Sequence, residues 1–259
     1  MPSTSIKITF LGTGTSMGVP VIGCGCAVCQ STDIKDKRLR TSMLIEYAGA
    51  KVVIDSGPDF REQMLRHNVD RLDGLVFTHE HKDHTAGLDD VRAYNFIQRQ
   101  SVTVHASERV EQALRNEFHY AFAEIKYPGA PEIKFSRIDT VPFIAGGLEF
   151  TPLPVLHHKL PVLGFRIGDF VYITDANSIP KDTWSKIQKP KVLVLNALRR
   201  TEHISHFTLD EAVGISKEIN AEQTYLTHIS HQMGCHVAVN KELPEGVQIA
   251  FDGLQLPLD

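Results

Sequence analysis

Apolar positions along this chain fall into short runs, most of them ending in a turn residue or an ionisable one. Ile6–Leu11 reads as a buried strand that enters Gly12-Thr13-Gly14-Thr15-Ser16-Met17-Gly18. That loop lacks the lysine and the spacing of a P-loop, so the expectation is a tight turn lying close to other backbone. Ser42–Tyr47 and Lys51–Asp55, separated by Ala48-Gly49-Ala50, predict a hairpin. Asp59–His67 has helical spacing, with Phe60 and Met64 on one side. Further strands are expected at Leu75–Phe77, Val102–His105, Lys134–Ile138, Leu148–Leu153, Val162–Ile167, Phe170–Thr174, Val192–Leu195 and Thr224–Thr227. Helices are expected near Ser107–Glu117, Lys181–Ile187 and Thr208–Ile219, the last with Thr208 as N-cap and Glu211 completing a capping box. Strand-rich halves, each followed by helices, predict an α/β architecture of sheets covered by helices. No repeat, low-complexity run or linker interrupts the sequence, so one domain over 1–259 is expected.

The composition, 42% hydrophobic and 22% charged, is that of a globular protein and argues against disorder. A net charge of −4 argues against a basic nucleic-acid binder. No apolar run is long enough for a membrane span and no signal-peptide pattern opens the chain, so the expected compartment is the cytoplasm. A homodimer is the default expectation for self-association. What changes the picture is histidine, with 13 copies beside 4 cysteines. Histidine is the commonest metal ligand and the usual proton carrier near neutral pH.

The histidines have addresses. His79-Glu80-His81-Lys82-Asp83-His84 follows directly on the strand Leu75–Phe77. A strand-end loop is where a rigid scaffold aims several ligands at one point. Two imidazoles plus an adjacent carboxylate–imidazole pair suit two metal ions side by side. His157, Asp175 and His228 each end a further apolar strand. Together they complete the ligand count of a two-metal hydrolytic site, with Asp175 as the natural bridge because one carboxylate can bind two ions. Asp55, ending Val53-Ile54-Asp55, is read as a group that orients a ligand histidine through its other ring nitrogen. Three cysteines, Cys24, Cys26 and Cys29, crowd into six residues, which suits three thiolates on one soft metal better than a disulfide framework. Cys235 is left over as a bystander thiol.

The pattern His79-x-His81-x-Asp83-His84 with His157, Asp175 and His228 resembles the metallo-β-lactamase superfamily, over nearly the whole chain. That resemblance implies a four-layer αββα sandwich with a dinuclear site along one edge. It assigns His79, His81 and His157 to one ion, Asp83, His84 and His228 to the other, with Asp175 bridging. Within the superfamily, Cys24-x-Cys26-x-x-Cys29, Pro152-Leu153-Pro154 and Thr227-His228-Ile229-Ser230-His231-Gln232 together resemble the phosphoribosyl cyclic phosphate phosphodiesterases of phosphonate breakdown. This implies a structural zinc held by Cys24, Cys26, Cys29 and His231, a closed Cys₃His shell of ordinary tetrahedral type. It also implies that His206, in Ile204-Ser205-His206-Phe207-Thr208, donates a proton to the leaving oxygen, and Asp83 is counted with it among the catalytic groups. His158, and the loop from His203 to His206, depart from the composition expected of that family.

The expected activity is therefore hydrolysis of a small cyclic or nucleotide-like phosphodiester by two divalent ions, Mn²⁺ or Zn²⁺, with one structural Zn²⁺ elsewhere. The Arg199-Arg200 pair is a solvated loop or a phosphate contact. Three rivals remain: a tRNA 3′-processing endonuclease, a thioester or lactam hydrolase on the same metals, and a zinc-bound interaction module without turnover. No long basic insertion of the kind that grips tRNA is present, which makes nucleic acid the less expected partner.

Overall fold

The structure is a computed structural model that describes residues 5–258. Among them the chain first lays down β1 (Ile6–Gly12), β2 (Ser42–Tyr47), β3 (Ala50–Ile54), β4 (Gly74–Val76), β5 (Val102–Ala106) and β6 (Ile133–Arg137). It continues with β7 (Phe143–Ala145), β8 (Leu148–His157), β9 (Leu160–Ile167), β10 (Phe170–Ile173), β11 (Val192–Asn196), β12 (Gln223–Thr227) and β13 (Val247–Ile249), and closes on β14 (Gln255–Leu258). The strand orders are β14-β1-β2-β3-β4-β5-β6 and β13-β12-β11-β10-β9-β8-β7, two sheets of seven. In the first sheet β14, β1, β2 and β3 pair antiparallel, and β3 to β6 pair parallel. The second repeats the plan, antiparallel from β7 to β10 and parallel from β10 to β13.

Alternation explains why these strands read as unbroken apolar runs: both faces are buried. Met43, Ile45, Val52, Ile54, Phe170, Tyr172 and Val194 face the layer between the sheets. Leu44 and Val53 face the opposite way, under Phe60, Met64, Tyr94, Val110 and Leu114 from the helices Phe60–Arg66, Arg92–Gln98 and Glu108–Glu117. Val171, Ile173, Leu193 and Leu195 lie under Leu209, Ala212 and Ile219 of the helix Leu209–Ile219. That helix opens with the expected capping box of Thr208 and Glu211. The architecture is the αββα sandwich that the resemblance implied. No helix among the described residues is long and apolar enough to cross a membrane.

Several boundaries differ from the expectation. The strand placed at Leu148–Leu153 runs on to His157, through Pro152 and Pro154. Strand β7 pairs only as far as Phe150, and Leu156 N–H donates to Ser178 on the side away from β9. The two prolines share that side, so their missing N–H groups cost the β8–β9 ladder nothing. The edge strands β7, β13 and β14 carried too few apolar positions to read, and the helix at Lys181 stops at Trp184. The Gly12–Gly18 loop is the tight packing turn expected: a Cβ on Gly12 would stand 2.0 Å from the Arg40 carbonyl oxygen.

The parallel strands place the C-terminal ends of β3, β4, β10 and β12 along one rim of the sandwich, and the ionisable residues gather there.

Candidate functional site

Asp55 after β3, Asp175 after β10 and His228 after β12 leave their strands in the left-handed region, with φ of 64°, 53° and 57°. For a residue with a Cβ this conformation costs about 1–2 kcal/mol, and such strain collects where the aim of a side chain matters. Here it directs three side chains to one cluster.

His84 sits at its centre, fully buried, with Nδ1 2.7 Å from Asp55 Oδ2. Asp55 also accepts from the Thr78 N–H at 2.9 Å and the Thr78 hydroxyl at 2.8 Å, so it is fixed from three directions. Thr78, its proton committed to Asp55, accepts from His79 Nδ1 at 2.9 Å. His157 Nδ1 donates to the Ser205 carbonyl at 2.8 Å. In His79, His84 and His157 the protein therefore engages Nδ1 and leaves Nε2 as the lone-pair nitrogen, which is how outer partners set a ligand histidine.

Beyond those partners the donor atoms converge. His84 Nε2 lies 3.2 Å from Asp83 Oδ2 and 3.2 Å from Asp175 Oδ2, and His228 Nδ1 is 3.2 Å from the same Asp175 oxygen. The ligand atoms of Asp83, His84, Asp175 and His228 all lie within 4.8 Å of one another, as do those of His157, Asp175 and His206. Asp175 is thus common to both groups. His79 Nε2 is 3.1 Å from His81 Nδ1, and the His157 ring centroid is 5.1 Å from that of His81 and 5.9 Å from that of His79. All seven expected ligands reach one rim. His206 joins them, its Nε2 3.0 Å from Asp175 Oδ1 and its ring 4.6 Å from that of His157.

The donor set fits cations. With the Nδ1 proton on Asp55, the buried Nε2 of His84 has no hydrogen-bond partner and faces two carboxylate oxygens. Electron-rich atoms converging in this way need a positive charge among them. Titration tells the same story. Burial pulls the His84 imidazole down, but the three carboxylates Asp83, Asp175 and Asp55 overcome it and hold it well above its ordinary range. Burial would raise Asp175, yet His228 and His84 hold its carboxyl low. Burial pushes His79 and His157 down, and His228 to about 4, which favours the neutral ligand form.

The thiols form a second cluster. Cys24, Cys26 and Cys29 Sγ lie 3.3, 3.5 and 3.6 Å from His231 Nδ1, close to the edges of a tetrahedron with zinc-length arms. Cys26 caps the short helix Ala27–Gln30, and the Cys29 N–H and His231 hold its thiol down at about 6, while burial pushes Cys29 up to about 11. Val19 and Val28 form the apolar floor, and Cys235 packs against it half-buried.

Some contacts were not legible beforehand. His203, to which the sequence assigns no role, has Nδ1 3.1 Å from His206 Nδ1; its place three residues before His206 is the available signal. Thr15 and Thr41 hydroxyls lie 3.3 Å from the two ring nitrogens of His228, across 213 and 187 residues of sequence, and nothing local announces them. Arg199 and Arg200 spend their donors on Gln232, Glu202 and Glu242 at loop contacts.

Comparison with known proteins agrees with this geometry. The β-lactamase superfamily domain profile matches residues 50–229. The chain is a member of the metallo-β-lactamase superfamily. The superfamily's hydrolase fold brings with it divalent metals such as zinc. Among solved superfamily structures, a diphosphatase from the PhnP family superposes with a TM-score of 0.92 at 41% identity, covering 98% of this chain and 97% of that one. An octanoyltransferase of Porphyromonas gingivalis is 38% identical over 257 residues, 98% of this chain but 52% of that protein. The chain thus spans about half the length of that relative. A ribonuclease Z of Clostridioides difficile is 25% identical over 224 residues, 82% of this chain and 67% of that protein.

Proposed function

We propose that this chain is a dinuclear metal-dependent phosphodiesterase acting on a small cyclic or nucleotide-like phosphodiester, with a phosphoribosyl cyclic phosphate as the first substrate to test. The observation that carries the reading is Asp175, whose Oδ2 meets His84 and His228 while its carboxylate also groups with His157, its Oδ1 facing His206. The likeness to a PhnP-family diphosphatase supports phosphorus chemistry over acyl chemistry. Octanoyl transfer does not carry over, since the relative of that name has as much again outside the match.

In this reading His79, His81 and His157 hold one ion, Asp83, His84 and His228 the other, and Asp175 joins them. Two divalent cations there would neutralise phosphate charge and make water a competent nucleophile near neutral pH. The chain's own groups do the rest. Asp55 and Thr78 fix the His84 and His79 rings, so the ligand nitrogens need no reorganisation. Asp83, half-buried beside His84, accepts a hydrogen bond from the attacking water and orients it. His206, held with Nε2 toward Asp175 Oδ1, carries the proton that the departing alkoxide needs. Cys24, Cys26, Cys29 and His231 hold a structural zinc that ties the N-terminal loop to the segment following His228.

A ribonuclease Z-like activity is the second reading, favoured by the match over 224 residues to such an enzyme. One experiment separates them. Metal-loaded protein is assayed on bis-p-nitrophenyl phosphate, on ribose 1,2- and 2′,3′-cyclic phosphates, on a tRNA precursor at several salt concentrations, and on a chromogenic thioester and lactam. Opening of a cyclic diester, with no salt-sensitive tRNA cleavage, is expected. Cleavage of the tRNA, thioester or lactam alone overturns the proposal.

A further inference from the structure

His206 lies in a loop braced from several sides. The Glu202 carbonyl accepts from Arg199 Nη2 at 2.6 Å, the Ile204 carbonyl from Asn177 Nδ2 at 3.0 Å, and the Ser205 carbonyl from His157 Nδ1 at 2.8 Å. The Phe207 N–H donates to the Ala176 carbonyl at 2.9 Å. With the backbone held in this way, the direction of the His206 ring is what remains to be set.

Ring packing sets it only in part. His206 stacks on His228, with centroids 5.0 Å apart and planes 15° from parallel, and meets His157 edge-on at 4.6 Å. A half-turn about Cβ–Cγ would keep both contacts while exchanging Nδ1 with Cδ2 and Nε2 with Cε1. Hydrogen bonds at the nitrogens are what tell the two orientations apart. Nε2 has Asp175 Oδ1 at 3.0 Å, but in the phosphodiesterase reading that carboxylate is committed to the ions. Nδ1 has His203 Nδ1 at 3.1 Å and the Ser205 hydroxyl at 3.1 Å.

The polarity of the contact with His203 is fixed by a third group. The Ser205 backbone N–H points at His203 Nδ1, 3.3 Å away, and an amide N–H can only donate. His203 Nδ1 is therefore the lone-pair nitrogen, and the proton between the two histidines belongs to His206 Nδ1. Among the described residues, the hydrogen bonds of the half-buried His203 ring go to Ser205 and His206.

We propose that His203 is the positioning residue for proton transfer, accepting the Nδ1–H of His206 and so keeping Nε2 aimed at the leaving oxygen; the proposal rests on the phosphodiesterase reading above. In the transfer the Nε2–H bond of His206 breaks and an O–H bond forms on the departing alkoxide. The positive charge of the imidazolium and the negative charge of the alkoxide disappear together. The neutral ring left behind carries its proton on Nδ1, which is the tautomer that the His203 lone pair holds.

The test reads the leaving group. Metal-loaded protein is assayed on ribose 1,2-cyclic phosphate, which releases an alkoxide, and on bis-p-nitrophenyl phosphate, whose p-nitrophenolate leaves without a proton. His203→Ala is expected to lower kcat roughly tenfold on the first and by less than about twofold on the second, the worth of one hydrogen bond behind a general acid. His203→Asn, whose side-chain carbonyl can accept in place of Nδ1, is expected to recover most of the loss. His203→Ala and His206→Ala together should cost no more than His206→Ala alone. Equal losses on both substrates, no loss, or losses that add overturn the proposal. A selective loss in Ser205→Ala with none in His203→Ala gives the role to the hydroxyl and overturns it too. Nitrogen-15 correlation spectra of the zinc-loaded parent read the tautomers without turnover. His203 bare at Nδ1 and His206 protonated there are expected, and the reverse overturns the proposal whatever the activity. Cleavage of neither diester would instead strike the phosphodiesterase reading, and the spectra would still decide the hydrogen bond.

Discussion

The histidine–aspartate cluster draws its side chains from the ends of β4, β8, β10 and β12 and from the loop before the helix Leu209–Ile219, whereas the thiol cluster takes three of its four from Cys24–Cys29. In the first, His79, His84, Asp175 and His228 are at most 2% exposed, and hydrogen bonds to Thr78, Asp55 and the Ser205 carbonyl fix three of the histidine rings. In the second, Cys26 is exposed, and the four groups find their partners largely in one another. One cluster is positioned by the two sheets before any ion arrives. The other lies on a loop with a small apolar floor, so an ion there would order the loop as well as occupy it. On the proposed reading, metal would serve turnover at the rigid rim and staple the loop at the thiol cluster, and losing it should have different consequences at the two.

The sharpest break of this contrast is Asp175→Asn. Turnover of a phosphodiester is expected to fall by at least about a thousandfold, because the variant loses the group shared by both ligand sets. A variant within tenfold of the parent rate would remove the bridging role. Next, His206→Ala should lose about a hundredfold on an alkyl leaving group and far less on p-nitrophenolate, with metal content intact. Equal losses on both substrates would show that His206 does not supply the leaving-group proton. Asp55→Asn replaces the acceptor behind His84 and should weaken metal binding at the rim by roughly tenfold to a hundredfold, leaving the thiol site loaded. Cys26→Ser should do the reverse: zinc at the thiol site is lost and Tm falls by roughly 5 °C or more, while rim ions stay. Unchanged zinc and melting would refute the stapling role.

The smallest effect comes from a histidine in neither cluster. Burial alone lowers His105 to about 4, below its unfolded value near 6.5. Its contribution to stability is complete above pH 6.5 and is lost as pH falls from there toward 4, because the unfolded chain takes up the proton first. His105→Phe, beside Phe143 at a ring distance of 5.0 Å, should therefore flatten the decline of Tm between pH 6.5 and 4. An unaltered slope would place that acid sensitivity in other groups.

How far the sequence could be read follows from the same contrast. The side chains that converge at the rim were legible because apolar runs stop abruptly at His79, His157, Asp175 and His228, and a buried strand end has few reasons to carry such groups. Asp55 was legible on the same ground, and its bond to His84 is there. The three close cysteines declared themselves by spacing, but His231 joins them from some two hundred residues away, a pairing only the family resemblance suggested. Thr15, Thr41 and His203 stayed hidden because their roles are set by tertiary contact and not by local pattern. The same holds for β7, β13 and β14, whose short runs gain strand character from the sheet edges they join.

Metal stoichiometry by elemental analysis tests the central claim most directly. The account predicts three ions per chain in the parent protein, one zinc remaining in Asp175→Asn, and two rim ions remaining in Cys26→Ser. Joint loss of all the metal in either variant, or a parent protein that binds a single ion, would contradict it.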